Sequence, residues 1–216
     1  LYGAVGDGST DNQSVLATVF RAAQEGGTVW VPAGTFCVKS PVYIGRGNVT
    51  VRGASWNAII KACASFTAAS NRGLLAFGYS AATTGVAISN LTIRDLTLDG
   101  NSLAKALEIN TLTTGLIENV QALRAGPTHG VIFVTTATDL TISHNYVAGA
   151  LGQFGDGIYC QACTRPKMLA NTVTDVTRIG IVFEGGVGTE SKHVLAQGNT
   201  IFYTHESSVS EANAAI

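Results

Sequence analysis

Charge is scarce in this chain. Only 12% of its 216 residues are Asp, Glu, Lys or Arg, against about a quarter in an ordinary globular domain. The 13 basic and 14 acidic residues nearly cancel, to a net charge of −1. That leaves no basic footprint for nucleic acid and no polybasic patch for a membrane surface. Proline (4) and methionine (1) are also rare. No apolar run approaches the ~18 residues of a membrane span, and the amino terminus lacks the pattern of a secretion signal. A disordered chain would be rich in charge and poor in apolar residues; here 46% of residues are apolar, so the chain folds. What is plentiful is glycine, 25 residues, beside short β-branched runs. The length suits one domain. Leu1 and the closing Ser-Glu-Ala-Asn-Ala-Ala-Ile read as the ends of a piece of a longer chain.

The four cysteines are Cys37, Cys63, Cys160 and Cys163. Cys160-Gln-Ala-Cys163 has the spacing of half a zinc site, but a second pair of Cys or His at ligand spacing is missing. Residues three apart on a strand lie ~10 Å from each other, beyond the ~7 Å reach of a disulfide. They can bond only where the chain turns a corner at Gln161-Ala162. Buried, unpaired cysteines are therefore expected, and the pattern calls for no metal and no cofactor.

The first 46 residues form a block of their own, ahead of repeating text over 47–216. Tyr2 to Thr10 is turn chemistry, and Thr10 or Asp11 suits the N-cap of a helix running to about Glu25. Val15, Val19 and Ala23, with Leu16 and Phe20, give that helix one apolar stripe. Gly26-Gly27 ends it, and strands follow at Thr28–Val31 and Thr35–Val38.

From residue 47 the sequence recurs. Ile93, Ile117, Ile142 and Leu169 each sit in a short apolar run, at intervals of 24, 25 and 27. Asn145, Asn171 and Asn199 open similar runs and suit a stacked hydrogen-bond ladder. Ala106-Leu107, Gly130-Val131, Gly157-Ile158 and Gly180-Ile181 mark another strand start. Periods of 20–50 residues signal a solenoid. Several β runs per period, with no helical pattern and no leucine-rich signature, predict an all-β fold: a right-handed parallel β-helix with the N-terminal helix as its cap. Setting that last series in register points Leu107, Val131, Ile158 and Ile181 inward, with Ile109, Phe133, Cys160 and Phe183. Glu108, Ile132, Tyr159 and Val182 then point outward, as do Asn110, Val134, Gln161 and Glu184.

Tyr-Gly-Ala-Val-Gly-Asp-Gly-Ser-Thr-Asp-Asn, followed by Gly-Gly-Thr-Val-Trp-Val-Pro-Ala-Gly-Thr-Phe, resembles the N-terminal segment of the pectate-lyase-like superfamily. That superfamily includes phage tailspikes, mannuronan epimerases and some glucanases. The specific motifs cover about residues 2–60. The resemblance implies a β-helix acting on or binding extracellular polysaccharide, and leaves the reaction open. Leu91–Asn171, with Leu-Thr-Leu-Asp-Gly-Asn at 96–101, is similar to mannuronan epimerases. Their Asp-Pro-His-Glu motif is replaced here by Ile132-Phe133-Val134-Thr135, so that catalytic set is missing. His129-Gly130 resembles part of the Gly-His-Gly motif of polygalacturonases, without the paired Asp that precedes it there.

Glycoside hydrolysis needs two carboxyl groups, and polysaccharide lysis needs a base and a charge stabiliser. In the register above, His129 and Asp156 match in adjacent coils, with Lys105 one coil away. Asp156, Glu184 and His129 are the candidate catalytic residues; Lys105, Glu108, Tyr159 and Gln161 would line the groove. Asp95 and Asp99 read as turn residues, and His144 and His193 as isolated. Asn12, Asn48 and Asn90 each open an N-glycosylation sequon. Three functions fit: a secreted hydrolase or lyase, a glycan-binding fibre module assembled as a homotrimer, or a purely structural solenoid.

Overall fold

The computed structural model describes residues 2–23, 25–68, 72–80, 85–126 and 130–202. Strands in parallel register wind into a β-solenoid of about seven turns, with, among the described residues, a single short helix near the amino end.

Three faces make up each turn. The first face stacks Asp7–Asp11, Gly34–Val38, Ala58–Ala62, Thr97–Asp99, Gln121–Leu123, Tyr146–Ala150, Thr172–Val176 and Thr200–Phe202. The second stacks Gly27–Val31, Val49–Gly53, Ile88–Arg94, the latter parts of Leu107–Glu118 and Ile132–Ser143, then Lys167–Leu169 and Leu195–Gln197. The third stacks Val42–Ile44, Leu75–Phe77, the opening parts of the same two long strands, then Ile158–Gln161 and Ile181–Glu184.

Each face buries an apolar column. On the third face Val42, Leu75, Leu107, Ile132, Ile158 and Ile181 lie in register, one per coil. On the first, Phe36, Ile60, Leu98, Ala122, Val147, Val173 and Ile201 do the same. One coil cannot bury its own inner side chains, so stacking is what builds the core.

The third-face register differs from the sequence expectation by one residue at Ile132. Val131 N–H donates to the Asp156 carbonyl and Ile132 N–H to that of Gly157. Ile132 therefore pairs with Ile158, and Phe133 with Tyr159. Ile132 and Val134 point inward at 0% exposure, and Phe133 points outward. The residue that enters the second-face column is Met168, paired with Ile142, rather than Leu169.

The helix is shorter than expected, Gln13–Ala22. Asp11 ends the preceding strand, and its Oδ1 accepts from the backbone N–H groups of Gln13 (3.0 Å) and Lys39 (3.1 Å). Asn12 occupies the cap position, but its side chain reaches back to Val5. Leu16 and Phe20 enter the core, and Phe20 meets Phe77 edge to face at 5.8 Å. The helix packs on Val42–Ile44, the outermost strand of the third face at that end.

Corners between faces are closed by residues with left-handed backbone. Asp95, Asn119, His144, Ala170 and Gly198 form one such column, with φ between 51° and 66°. Asn48, Asn90, Thr114, Asp139, Arg165 and His193 form another, with φ between 49° and 64°. His144 and His193 are therefore corner residues. All four cysteines are bonded, contrary to the expectation of free thiols: Cys37 to Cys63 across adjacent coils, and Cys160 to Cys163. The second pair closes because Ala162 turns left-handed, with φ 54°, and brings the two Cα atoms to 6.1 Å.

Candidate functional site

The outward residues of the third face form a continuous run along the solenoid axis, with Glu108, Phe133, Tyr159 and Val182 in register. Gln161 and Glu184 pair one row further on, beside Thr135 and Asn110.

At one end sits Glu108, only 2% exposed. Its Oε1 accepts from Lys105 Nζ (3.2 Å), Arg72 Nη1 (3.3 Å) and the Tyr79 hydroxyl (3.1 Å). Its Oε2 accepts from Gly73 N–H at 2.7 Å. Two cations and two further donors thus satisfy a carboxylate that could not otherwise stay buried. Lys105 is buried too, at 7% exposure. Burial pulls its ammonium below the ordinary lysine range, against the opposing pull of Glu108. Burial and the Glu108 carboxylate together push the Tyr79 phenol up to about 12.

The middle of the run is aromatic. Lys105 Nζ lies 4.4 Å from the centre of the Phe133 ring, a cation–π contact. Phe133 stacks on Tyr159 with centroids 4.7 Å apart and planes 2° from parallel. The Tyr159 hydroxyl donates to Glu184 Oε2. Burial first, then the Glu184 carboxylate, pushes the Tyr159 phenol well above its usual range. Glu184 itself stands exposed at the end of its strand.

Asp156, in the turn that leads into Ile158–Gln161, is 1% exposed. Arg178 grips it two-handed, Nε to Oδ1 at 2.9 Å and Nη2 to Oδ2. Burial raises the Asp156 carboxyl above its ordinary range, against the pull of Arg178. The Asp156 carbonyl accepts from Val131 N–H at 3.0 Å. His129 lies outside the described residues.

Of the sequence candidates, then, Glu184 is exposed and Gln161 half-buried on this face, while Tyr159 beside them is buried at 8% exposure. Lys105 and Glu108 belong to the same run but occupy a buried ion-pair cluster, and Asp156 is buried against Arg178. Sequence reading missed Phe133, which it placed inside, and Arg72, Tyr79 and Arg178. Counting strand to strand from Ile158 rather than glycine to glycine would have turned Phe133 outward. The two arginines reach in from outside the strands, where alternation carries no signal. Among the described residues, no group of three His, Cys, Asp or Glu is placed to hold a metal ion.

Parallel coils, a capping helix and a polar-aromatic strip along one face define the class as a pectate-lyase-like β-helix. The chain belongs to the family described as rhamnogalacturonase A/epimerase, pectate lyase-like, whose model matches residues 1–216. It is similar in structure to ORF18 of Geobacillus virus E2, with TM-score 0.63, 18% identity, 94% of this chain covered and 48% of that one. The mannuronan C-5 epimerase AlgE6 A-module of Azotobacter vinelandii aligns with TM-score 0.64 and 20% identity, over 91% of this chain and 61% of that one. PfbA, a surface adhesin of Streptococcus pneumoniae, aligns with TM-score 0.59 and 16% identity, over 99% and 65%. The chain therefore spans about half to two thirds of the length of these structures. No curated protein matches it.

Proposed function

We propose that this chain is an extracellular polysaccharide-degrading protein, a glycoside hydrolase or polysaccharide lyase, that lays its substrate along the third face. One observation carries the reading: an aromatic stack, Phe133 on Tyr159, ends at an exposed carboxylate, Glu184. Lys105 and Tyr159 flank the Phe133 ring and Tyr159 is 8% exposed, so a sugar would meet the edges of this stack rather than a ring face, with the adjacent carboxylate as acid, base or nucleophile. Glu184 is the residue that would touch the reacting bond, with Tyr159 holding it in place and Gln161 beside it. Asp156, locked by Arg178, acts by positioning that region and supplying charge to it. Lys105 and Glu108 brace the far end, and His129 completes the catalytic set. Two disulfides accord with an oxidising compartment. Among the described residues no helix is long and apolar enough to cross a membrane. The AlgE6 module, a mannuronan epimerase by name, offers a precedent on this fold.

A second reading is a non-catalytic glycan-binding module of a phage tailspike or surface fibre, assembled as a homotrimer. It is favoured by the burial of Asp156 and Glu108, which leaves Glu184 as the exposed carboxylate of its strand rows. Hydrolysis uses two carboxyl groups ~5–9.5 Å apart.

Incubation with a panel of acidic and neutral polysaccharides, followed by ultraviolet absorbance and reducing ends together, tests both. Scission with new absorbance identifies β-elimination, and reducing ends alone identify hydrolysis. Binding without scission selects the module. The absence of both turnover and binding across the panel would contradict the proposal.

A further inference from the structure

Both tryptophans of this chain lie on the outside of the solenoid, Trp30 at 55% and Trp56 at 41% exposure. Large aromatic surface left in water forgoes hydrophobic burial, so its placement beside a cleft calls for an explanation. The cleft sits at the corner between the second and first faces, which does not border the third face. Its volume is about 650 Å³, within the ~300–1,000 Å³ of small-molecule sites. Arg52, Trp56, Asn57, Arg94, Asp95 and Asn119 line it.

The local architecture holds these groups in a fixed arrangement. Trp30, Arg52, Arg94 and Glu118 are register neighbours across four coils. The Trp56 indole N–H donates to the Asn119 carbonyl at 2.9 Å, which fixes the ring by its edge and leaves ring surface open. Asp95 sits at the left-handed corner, accepts from Asn119 Nδ2 (2.9 Å) and Arg94 Nε (2.9 Å), and ion-pairs with Arg52, whose Nε lies 3.2 Å away. The ion pair is on the Nε side of Arg52, away from the terminal amino groups of its guanidinium, which carries five N–H donors in all. Arg52 also lies 5.8 Å from the centre of the Trp30 ring. Arg94 is shared between Asp95 and Glu118, whose Oε2 lies 3.5 Å from its Nη2, so Arg52 is the cation of this cleft with terminal donors turned to a ligand.

We propose that this cleft is a second saccharide-holding site, for a sugar that bears a carboxylate or equivalent anionic substituent. The ring stacks on Trp56, and the anion takes the terminal guanidinium donors of Arg52, a charge-assisted two-point contact. Asn57 and Arg94 supply further donors for hydroxyl groups. Such a site anchors an acidic polysaccharide to the wall of the solenoid without chemistry, and it stands independently of what happens on the third face.

The chain has two tryptophans, Trp56 in the cleft and Trp30 beside Arg52 at its edge, so intrinsic tryptophan emission reports this region and not the Tyr159 face. The probes are hexasaccharides of galacturonic acid and of mannuronic acid, with the fully methyl-esterified galacturonic hexamer as the uncharged match. Titration of the full chain with an acid hexamer is expected to change the emission saturably. Arg52→Gln and methyl esterification should each weaken that binding at least tenfold, while Glu184→Gln leaves it unchanged. Arg52 is exposed, and an unchanged melting temperature verifies the fold of its variant. Unchanged emission with both acid hexamers overturns the site. Equal affinity for acid and ester, or for wild type and Arg52→Gln, overturns the assignment of the anion. Degradation of a polysaccharide on the third face would be unaffected by any of these failures.

Discussion

Asn171 is 1% exposed and makes four side-chain hydrogen bonds. Its amide donates to the Ile142 carbonyl (2.9 Å) and to Asn199 Oδ1 (3.0 Å), and its Oδ1 accepts from Asn145 N–H (3.1 Å) and Nδ2 (2.9 Å). This ladder was legible from the recurrence of Asn145, Asn171 and Asn199 alone. Asn171→Ala strands the donors of Asn145 in the interior, where each unsatisfied group costs ~1–3 kcal/mol. A loss of about 2–4 kcal/mol in urea unfolding is expected, with an unchanged m-value. Tyr79 gives the residue-scale pH dependence. Its folded pKa is raised from 10.0 to about 12, so the neutral phenol contributes stability that is complete below pH 10. That contribution is lost as pH rises from 10.0 through about 12. Tyr79→Phe should flatten the alkaline limb of stability measured across this window. Glu108 shows where residue-level reading ended. Alternation put it on the outer side of the strand, correctly, but nothing in the spacing revealed the arginine, lysine and tyrosine that seal it from solvent.

At the level of elements, corners decide what period counting cannot. Glycines at 130 and 157 invite alignment with each other, yet the backbone matches Val131 to Gly157, and every outward residue of that strand changes sides as a result. Periodicity finds the strands; only the hydrogen-bonded register assigns their faces. The corners also carry a testable cost. Thr136 is exposed and β-branched, and it holds φ 55°, a conformation that costs non-glycine residues ~1–2 kcal/mol. Asn is the commoner occupant of such corners here, at 48, 90 and 119. Thr136→Asn should therefore raise stability by about 0.5–1 kcal/mol, read as a higher melting temperature. The Cys160–Cys163 bond was missed for the same reason: a straight strand holds the two residues apart, and the left-handed Ala162 brings them together.

For the molecule as a whole, stability is close to a sum over coils and the interfaces between them. Cross-links between coils should then matter more than links within one. Cys37 and Cys63 are 26 residues apart in sequence and join adjacent coils, whereas Cys160 and Cys163 are 3 apart. Loop-closure entropy gives about 3–4 kcal/mol for the first bond and about 2 kcal/mol for the second. Removing Cys37–Cys63 by paired Ser substitution should lower the denaturation midpoint more than removing Cys160–Cys163. The solenoid was legible because its repeats are written directly into the sequence. The strip on its third face was legible only in part, because its aromatic and carboxylate members sit on strands while the cations that sequester Asp156 and Glu108 do not. The central claim is that polysaccharide lies along this strip. The most direct measurement is a crystal structure of the chain with an oligosaccharide drawn from the glycan it degrades or binds. A sugar ring against Phe133 and Tyr159, within hydrogen-bond reach of Glu184, is the predicted result. An oligosaccharide bound elsewhere, with the third face bare, would contradict it.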